Sequence, residues 1–186
     1  MCTPTVRFAC SHYAGEWLFG KNADFTVIPN GIELDKFQFD PVIRQETRKE
    51  LGIADDTFLI GHVGRFMPQK NQAFLVDVLA DLLPKRSNTM LAFVGDGPDR
   101  LAVQQHAVEL GIADHVLFLG QRSDVNRLYQ AFDVFCLPSL YEGLGDGSCR
   151  GSSRRFALLA GGRCSFGSRC DHSIAFPADC RCEALV

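Results

Sequence analysis

Three short segments of this sequence set cations, glycines and a carboxylate at spacings that suit an anionic ligand. The first, Gly64-Arg65-Phe66-Met67-Pro68-Gln69-Lys70-Asn71, carries two cations in a turn that leaves an apolar run and opens a helical pattern. Gly64 would let the backbone approach a ligand, the helix N-terminus adds positive potential, and Arg65 and Lys70 can each make a charge-assisted bond to a diphosphate worth about 1.5–3 kcal/mol. Two solvated surface cations are the plainer reading of the same pair, and spacing alone does not choose between them. The second, Gly95-Asp96-Gly97-Pro98-Asp99-Arg100, begins like a dinucleotide fingerprint but has Arg100 where the third glycine belongs. The next apolar run ends in Leu119-Gly120-Gln121 without the acid that would hold a ribose, which argues against a nicotinamide or flavin. The third, Pro138-Ser139-Leu140-Tyr141-Glu142-Gly143-Leu144-Gly145, places a carboxylate beside a glycine-rich turn. Consecutive amides there can face a ligand while Glu142 accepts from sugar or ribose hydroxyls, although an isolated loop glutamate is the commoner case.

These segments need a scaffold that brings their turns to one edge. From Thr57 to Pro138 short apolar runs alternate with stretches of helical period. Strands are expected at Phe58 to Val63, Met90 to Val94, His115 to Leu119 and Asp133 to Leu137, and helices at Asn71 to Leu83, Pro98 to Leu110 and Asp124 to Phe132. Ala73, Leu75, Val76, Leu79, Leu82 and Leu83 form the apolar stripe of the first helix, and Pro98 suits the first turn of the second. Such alternation predicts an α/β fold with an open parallel sheet whose ligands bind outside the carboxyl ends of its strands. Residues 1–56 hold weaker signals, short strands at Val6 to Cys10 and Phe25 to Pro29 and helices at Ala14 to Gly20 and Arg44 to Leu51. They read as the trailing edge of another domain plus a linker.

Composition limits the partners. With 186 residues, net charge -3 and 46% hydrophobic residues, the chain reads as a globular protein with no electrostatic reason to bind nucleic acid. No apolar run reaches membrane-spanning length and Met1-Cys2-Thr3-Pro4 does not begin a secretory signal, so the cytoplasm is the expected compartment. Residues 146–186 differ in character: five of the eight cysteines, six Arg, six Ser and five Gly fall there, and no Lys. Only Cys180 and Cys182 are close, which is poor zinc spacing, and no metal is expected. His62, His106 and His115 form no ligand set and read as structural, as does Cys136 in a strand. No hydrolase-type nucleophile pattern is assembled.

Taken together, Gly64-Arg65 with Lys70, Gly95-Asp96-Gly97-Pro98, Val116-Leu117-Phe118-Leu119-Gly120 and Pro138 to Gly143 resemble the retaining group 1 glycosyltransferases. Ala14 to Gly20 and Ile28-Pro29-Asn30-Gly31-Ile32 bring the likeness nearest to enzymes of capsule and exopolysaccharide synthesis. The resemblance implies the donor-binding half of a two-domain GT-B architecture, with residues 57–145 as an incomplete Rossmann-like domain. It implies a nucleotide-sugar such as a UDP- or GDP-sugar as substrate, no separate cofactor, and a glycan or lipid-linked acceptor met at the inner face of the membrane. In that scheme Arg65 and Lys70, with Gly64 and Gly95, neutralise and cradle the leaving diphosphate, and the loop from Leu119 to Arg122 holds the base. Glu142 with the amides of Gly143, Leu144 and Gly145 positions the sugar. A nucleotide-sugar 2-epimerase shares the architecture, and a non-catalytic nucleotide-binding fragment is a further alternative.

The family carries a second glutamate seven residues after the first, where this chain has Arg150. Codons for Asp146 through Leu158, read one nucleotide later, can encode a helix with that glutamate in place. A frameshift after Gly145 is therefore expected, with a genuine disordered or divergent tail as the alternative; in either case the tail should pack poorly, and without an acceptor domain the chain alone should be inactive.

Overall fold

The computed structural model describes residues 6–28, 31, 33–140 and 157–160. In chain order the elements are β1 (Phe8–Ala9), α1 (His12–Phe19), β2 (Thr26–Val27), α2 (Pro41–Glu50), β3 (Phe58–Val63) and α3 (Gln72–Leu82). They continue with β4 (Thr89–Val94), α4 (Arg100–Glu109), β5 (Val116–Phe118), α5 (Val125–Ala131), β6 (Val134–Leu137) and β7 (Ala157–Ala160). Short 3-10 turns at Leu34–Phe37, Pro68–Lys70 and Ala113–His115 link them.

The main sheet is parallel throughout, in the order β5-β4-β3-β6-β7. Strand order reverses between β3 and β6, the place where an open α/β sheet forms its crevice. β3 is buried at every position but its last, as a strand covered on both faces must be. Phe58, Ile60, Leu91 and Phe93 join Leu75, Val76 and Leu79 of α3 on one side. Leu59, Ala92 and Val94 join Leu128, Tyr129 and Phe132 on the other. The alternating side chains of each strand thus feed two cores, giving three layers.

The α/β class and the parallel sheet agree with the sequence expectation, with four corrections of detail. Ala73 is exposed and drops out of the α3 stripe, because Gln72, not an apolar residue, takes the inward position in the first turn. Pro98 lies in the turn before α4 and not in its first turn. The run from His115 is led by a 3-10 turn, so β5 begins at Val116. β7, unforeseen from composition, extends the sheet beside β6.

α2 packs against α5. Asp40 caps α2, accepting from the amides of Val42 and Ile43 at 2.8 and 3.3 Å. From α2, Arg44 donates to the carbonyls of Gln130, Ala131 and Phe132, and Arg48 to those of Ala131, Ala54 and Thr57. Both arginines meet Asp133, which also accepts from the Leu59 amide at 2.7 Å. Burial pulls the Arg48 guanidinium pKa below its ordinary value, against the pull of Asp133. Two cations thus sit at the C-terminal carbonyls of α5, where the helix end is negative, and fix the amino edge of the sheet.

In the N-terminal segment β1 and β2 pair in parallel around α1, whose cap Ser11 accepts from the Ala14 amide. Val6, Phe8, Trp17, Leu18 and Ile28 are exposed there. No helix among the described residues is long and apolar enough to cross a membrane.

Candidate functional site

The strand-end loops on the carboxyl edge are laced together by main-chain bonds. The Gly64 amide donates to Val94 at 2.9 Å, Phe66 to Asp96 at 3.0 Å, and Gly95 to Gly120 at 2.7 Å. This close approach dictates two residue types. A Cβ on Gly95, whose φ is 132°, would fall on the Gly64 carbonyl oxygen, and one on Gly97 would fall on the Phe66 backbone. Gly95, expected to cradle a ligand, is therefore first required by the contact between loops.

Above the lacing lies a cleft of about 450 Å³ lined by Arg65, Gly95, Asp96, Gly97 and Gln121. Arg65 is exposed into solvent there. Asp96 accepts from the Gly97 amide at 2.9 Å and lies 3.7 Å from Arg100, a largely solvated pair that contributes little to stability. Gly64 sits beneath, where a Cβ would stand 3.0 Å from His62 Nε2 and 3.7 Å from Lys70 Cδ. The structure thus brings the Lys70 stem alongside Gly64, one residue from Arg65.

Asn71 closes the Pro68–Lys70 turn in the left-handed region (φ 53°), a conformation asparagine tolerates better than most residues, and starts α3. Its Nδ2 is 3.5 Å from the Pro138 carbonyl, and the Leu140 amide donates to Gln69 at 2.9 Å. The chain leaving β6 is therefore tied to the Lys70 turn, over the place where strand order reverses. Glu142, Gly143, Leu144 and Gly145 lie outside the described residues, as do Arg150 and most of the tail.

The loop expected to hold a base divides. Leu119 donates its amide to Phe93 at 2.9 Å, and its side chain packs against the core that holds Val94 and Leu128. Gln121, which lies within that loop, lines the cleft. Arg122 is engaged elsewhere: its guanidinium grips both oxygens of Asp124 at 2.8 and 2.6 Å and reaches Glu50 of α2 at 2.9 Å. Those partners push the Arg122 pKa up, Asp124 first, and the same bond holds the Asp124 carboxyl below the usual carboxylate range.

Of the histidines, His115 bonds the Thr89 carbonyl at 2.9 Å and His106 pairs with Asp77 at 2.6 Å between α4 and α3. His62 is wholly buried, its Nδ1 2.9 Å from the Cys136 carbonyl and its Nε2 3.4 Å from Gln72 Nε2. Gln72 in turn donates to the Arg65 carbonyl at 2.9 Å. Apolar periodicity marks neither partner of this link, since a glutamine in a first helical turn reads as solvent-facing.

The sequence model of a family described as glycosyl transferases group 1 matches residues 43–146. EpsF of Bacillus subtilis (strain 168), named as a glycosyltransferase, is 37% identical over 77% of this chain and 38% of its own length. The Escherichia coli UDP-Gal:alpha-D-GlcNAc-diphosphoundecaprenol alpha-1,3-galactosyltransferase is 31% identical over 75% of this chain and 38% of its own. Among solved structures, Anabaena Alr3699/HepE in complex with UDP and glucose superposes with a TM-score of 0.75 at 25% identity, covering 85% of this chain and 45% of that one. The chain thus spans about two fifths of the length of these curated relatives.

Proposed function

The chain belongs to the group 1 glycosyl transferases, and from that premise we propose that its carboxyl-edge cleft binds the diphosphate of a nucleotide-sugar whose sugar is passed to a glycan or lipid-linked acceptor in polysaccharide synthesis. The observation that carries the reading is Arg65 on the wall of a cleft floored by Gly95 and Gly97, with the Lys70 stem beside Gly64. Charge builds on the diphosphate as the sugar leaves. Cations beside it lower that barrier more than they stabilise the bound donor, and we assign this neutralisation to the two side chains.

Gln121 and the main chain around Leu119 are assigned to the nucleoside, and Glu142 with Gly143 to Gly145 to the transferred sugar. HepE is described with UDP and glucose, and the E. coli relative is named for a UDP-sugar and a lipid-linked acceptor, which supports a UDP-sugar here. The same acceptor chemistry supports work at the cytoplasmic face of a membrane. The exposed Val6, Phe8, Trp17 and Leu18 support residues 1–56 as the trailing part of an acceptor domain plus linker. Neither the family match nor these relatives favour the 2-epimerase alternative.

Calorimetric titration of the chain with UDP, GDP and ADP, in the parent and in Arg65→Ala and Lys70→Ala, tests the reading. One nucleotide should bind and each variant should weaken it about tenfold or more. Unchanged affinity in both variants would remove the diphosphate assignment.

A further inference from the structure

Beneath the cleft runs a buried polar chain that the binding reading does not use. It starts at the Cys136 carbonyl on β6, crosses His62 on β3, passes through Gln72 on α3 and ends at the carbonyl of Arg65. His62 is 0% and Gln72 2% exposed, so water is a poor substitute for either partner. Donors and acceptors match along these three bonds. The Cys136 oxygen can only accept, so Nδ1 of His62 carries a proton and donates to it. The Gln72 nitrogen donates one hydrogen to the Arg65 oxygen and turns the other toward Nε2 of His62 at 3.4 Å, which accepts it when the ring proton sits on Nδ1. One amide nitrogen serves both acceptors, so turning the Gln72 amide over would set its oxygen against the Arg65 carbonyl.

The ring cannot drift. His62 lies parallel to Phe135 at a centroid separation of 6.5 Å and edge-on to Phe93 at 5.9 Å. The position a Cβ on Gly64 would take is only 3.0 Å from its Nε2. The Gly64-Arg65 turn therefore rests on His62 from below and is held at its carbonyl by Gln72. Holding the Arg65 carbonyl inward fixes the peptide plane from which the Arg65 side chain departs toward the cleft.

We infer that His62 and Gln72 are positioning residues that set the Arg65 turn for diphosphate, an inference that rests on the binding reading above. Neither touches the ligand. Both act by fixing a main-chain orientation before it arrives, so their effect falls on the part of affinity that the second phosphate adds.

The test compares UDP with UMP on the full chain, for the parent and for Arg65→Ala, Gln72→Met and His62→Phe. Gln72→Met keeps an unbranched side chain without a donor. His62→Phe keeps the ring stacked on Phe135 and removes its nitrogens. The parent should prefer UDP, and Gln72→Met should cut UDP affinity about tenfold while UMP affinity and the far-UV spectrum hold. His62→Phe, folded by the same criterion, should reduce the preference by a smaller factor because Gln72 keeps its bond to Arg65. A merely structural role would move UMP and UDP together. If Arg65→Ala lowers the UDP preference while Gln72→Met and His62→Phe keep the parental value, the positioning role is overturned and the diphosphate reading stands. If Arg65→Ala also keeps it, the positioning role falls, and the diphosphate reading falls with it when Lys70→Ala is likewise unchanged.

Discussion

The carbonyl oxygen of Gly64 occupies the space that a side chain on Gly95 would need. The conflict lies between main chains at the ends of β3 and β4, so no rotamer change relieves it. Gly95→Ala should destabilise the fold by about 2–4 kcal/mol, the combined cost of a strained φ and a forced loop shift. It should also abolish nucleotide binding. Urea unfolding beside a UDP titration checks both, and an alanine variant of parental stability would mean the loops separate at little cost.

Asp133 anchors the opposite edge of the sheet. Removing it leaves the buried Arg48 without its charge partner and the Leu59 amide without its acceptor. Asp133→Ala should cost about 3 kcal/mol in urea unfolding. Any folded fraction should keep its parental UDP affinity, because the clasp and the cleft lie at different ends of the strands.

The Arg122 bond depresses the Asp124 carboxyl. A group whose folded pKa is lowered stabilises above its unfolded pKa, near 3.9 for aspartate, and that contribution fades as pH falls through the folded value. Asp124→Asn should therefore be less stable than the parent at pH 7, with the gap narrowing below about pH 4. The pair is partly solvated, so the gap should be small. Urea midpoints across that range measure it, and a gap that does not narrow in acid would contradict the assignment.

Burial pushes the Cys136 thiol up to about 12. At pH 8 it carries almost no thiolate, and the strand shields it besides. Iodoacetamide should leave the peptide containing Cys136 unmodified in the native chain and label it fully in 6 M guanidinium, as read by mass spectrometry. Native labelling at the denatured rate would show that β6 opens freely.

Much of the architecture was legible because a parallel strand covered on both faces is a nearly continuous apolar run: β6 and β4 from Met90 are such runs, and β3 is one but for Gly61 and His62. The sequence placed Arg65 in a strand-end turn, and the structure sets it on the cleft wall, but spacing alone did not separate a ligand contact from a solvated cation. The misses share a cause. Ala73 and Gln72 exchange the inward position that hydrophobicity assigns, because α3 turns a polar residue inward to meet His62 and a main-chain carbonyl. Arg122 belongs to a motif segment, yet its conformation is set by Asp124 and by Glu50, a partner 72 positions away. Side-chain direction in a loop depends on such distant partners, and local spacing carries no record of them.

The amides of Gly64, Phe66, Gly95 and Gly97 are all engaged with protein oxygens. An arriving anion cannot recruit the first three without undoing the scaffold, whereas Gly97 is held only by the exposed carboxylate of Asp96. On the proposed function, selectivity at this edge rests on side chains that can be exchanged one at a time, while Gly95 and Gly97 leave no room for a Cβ.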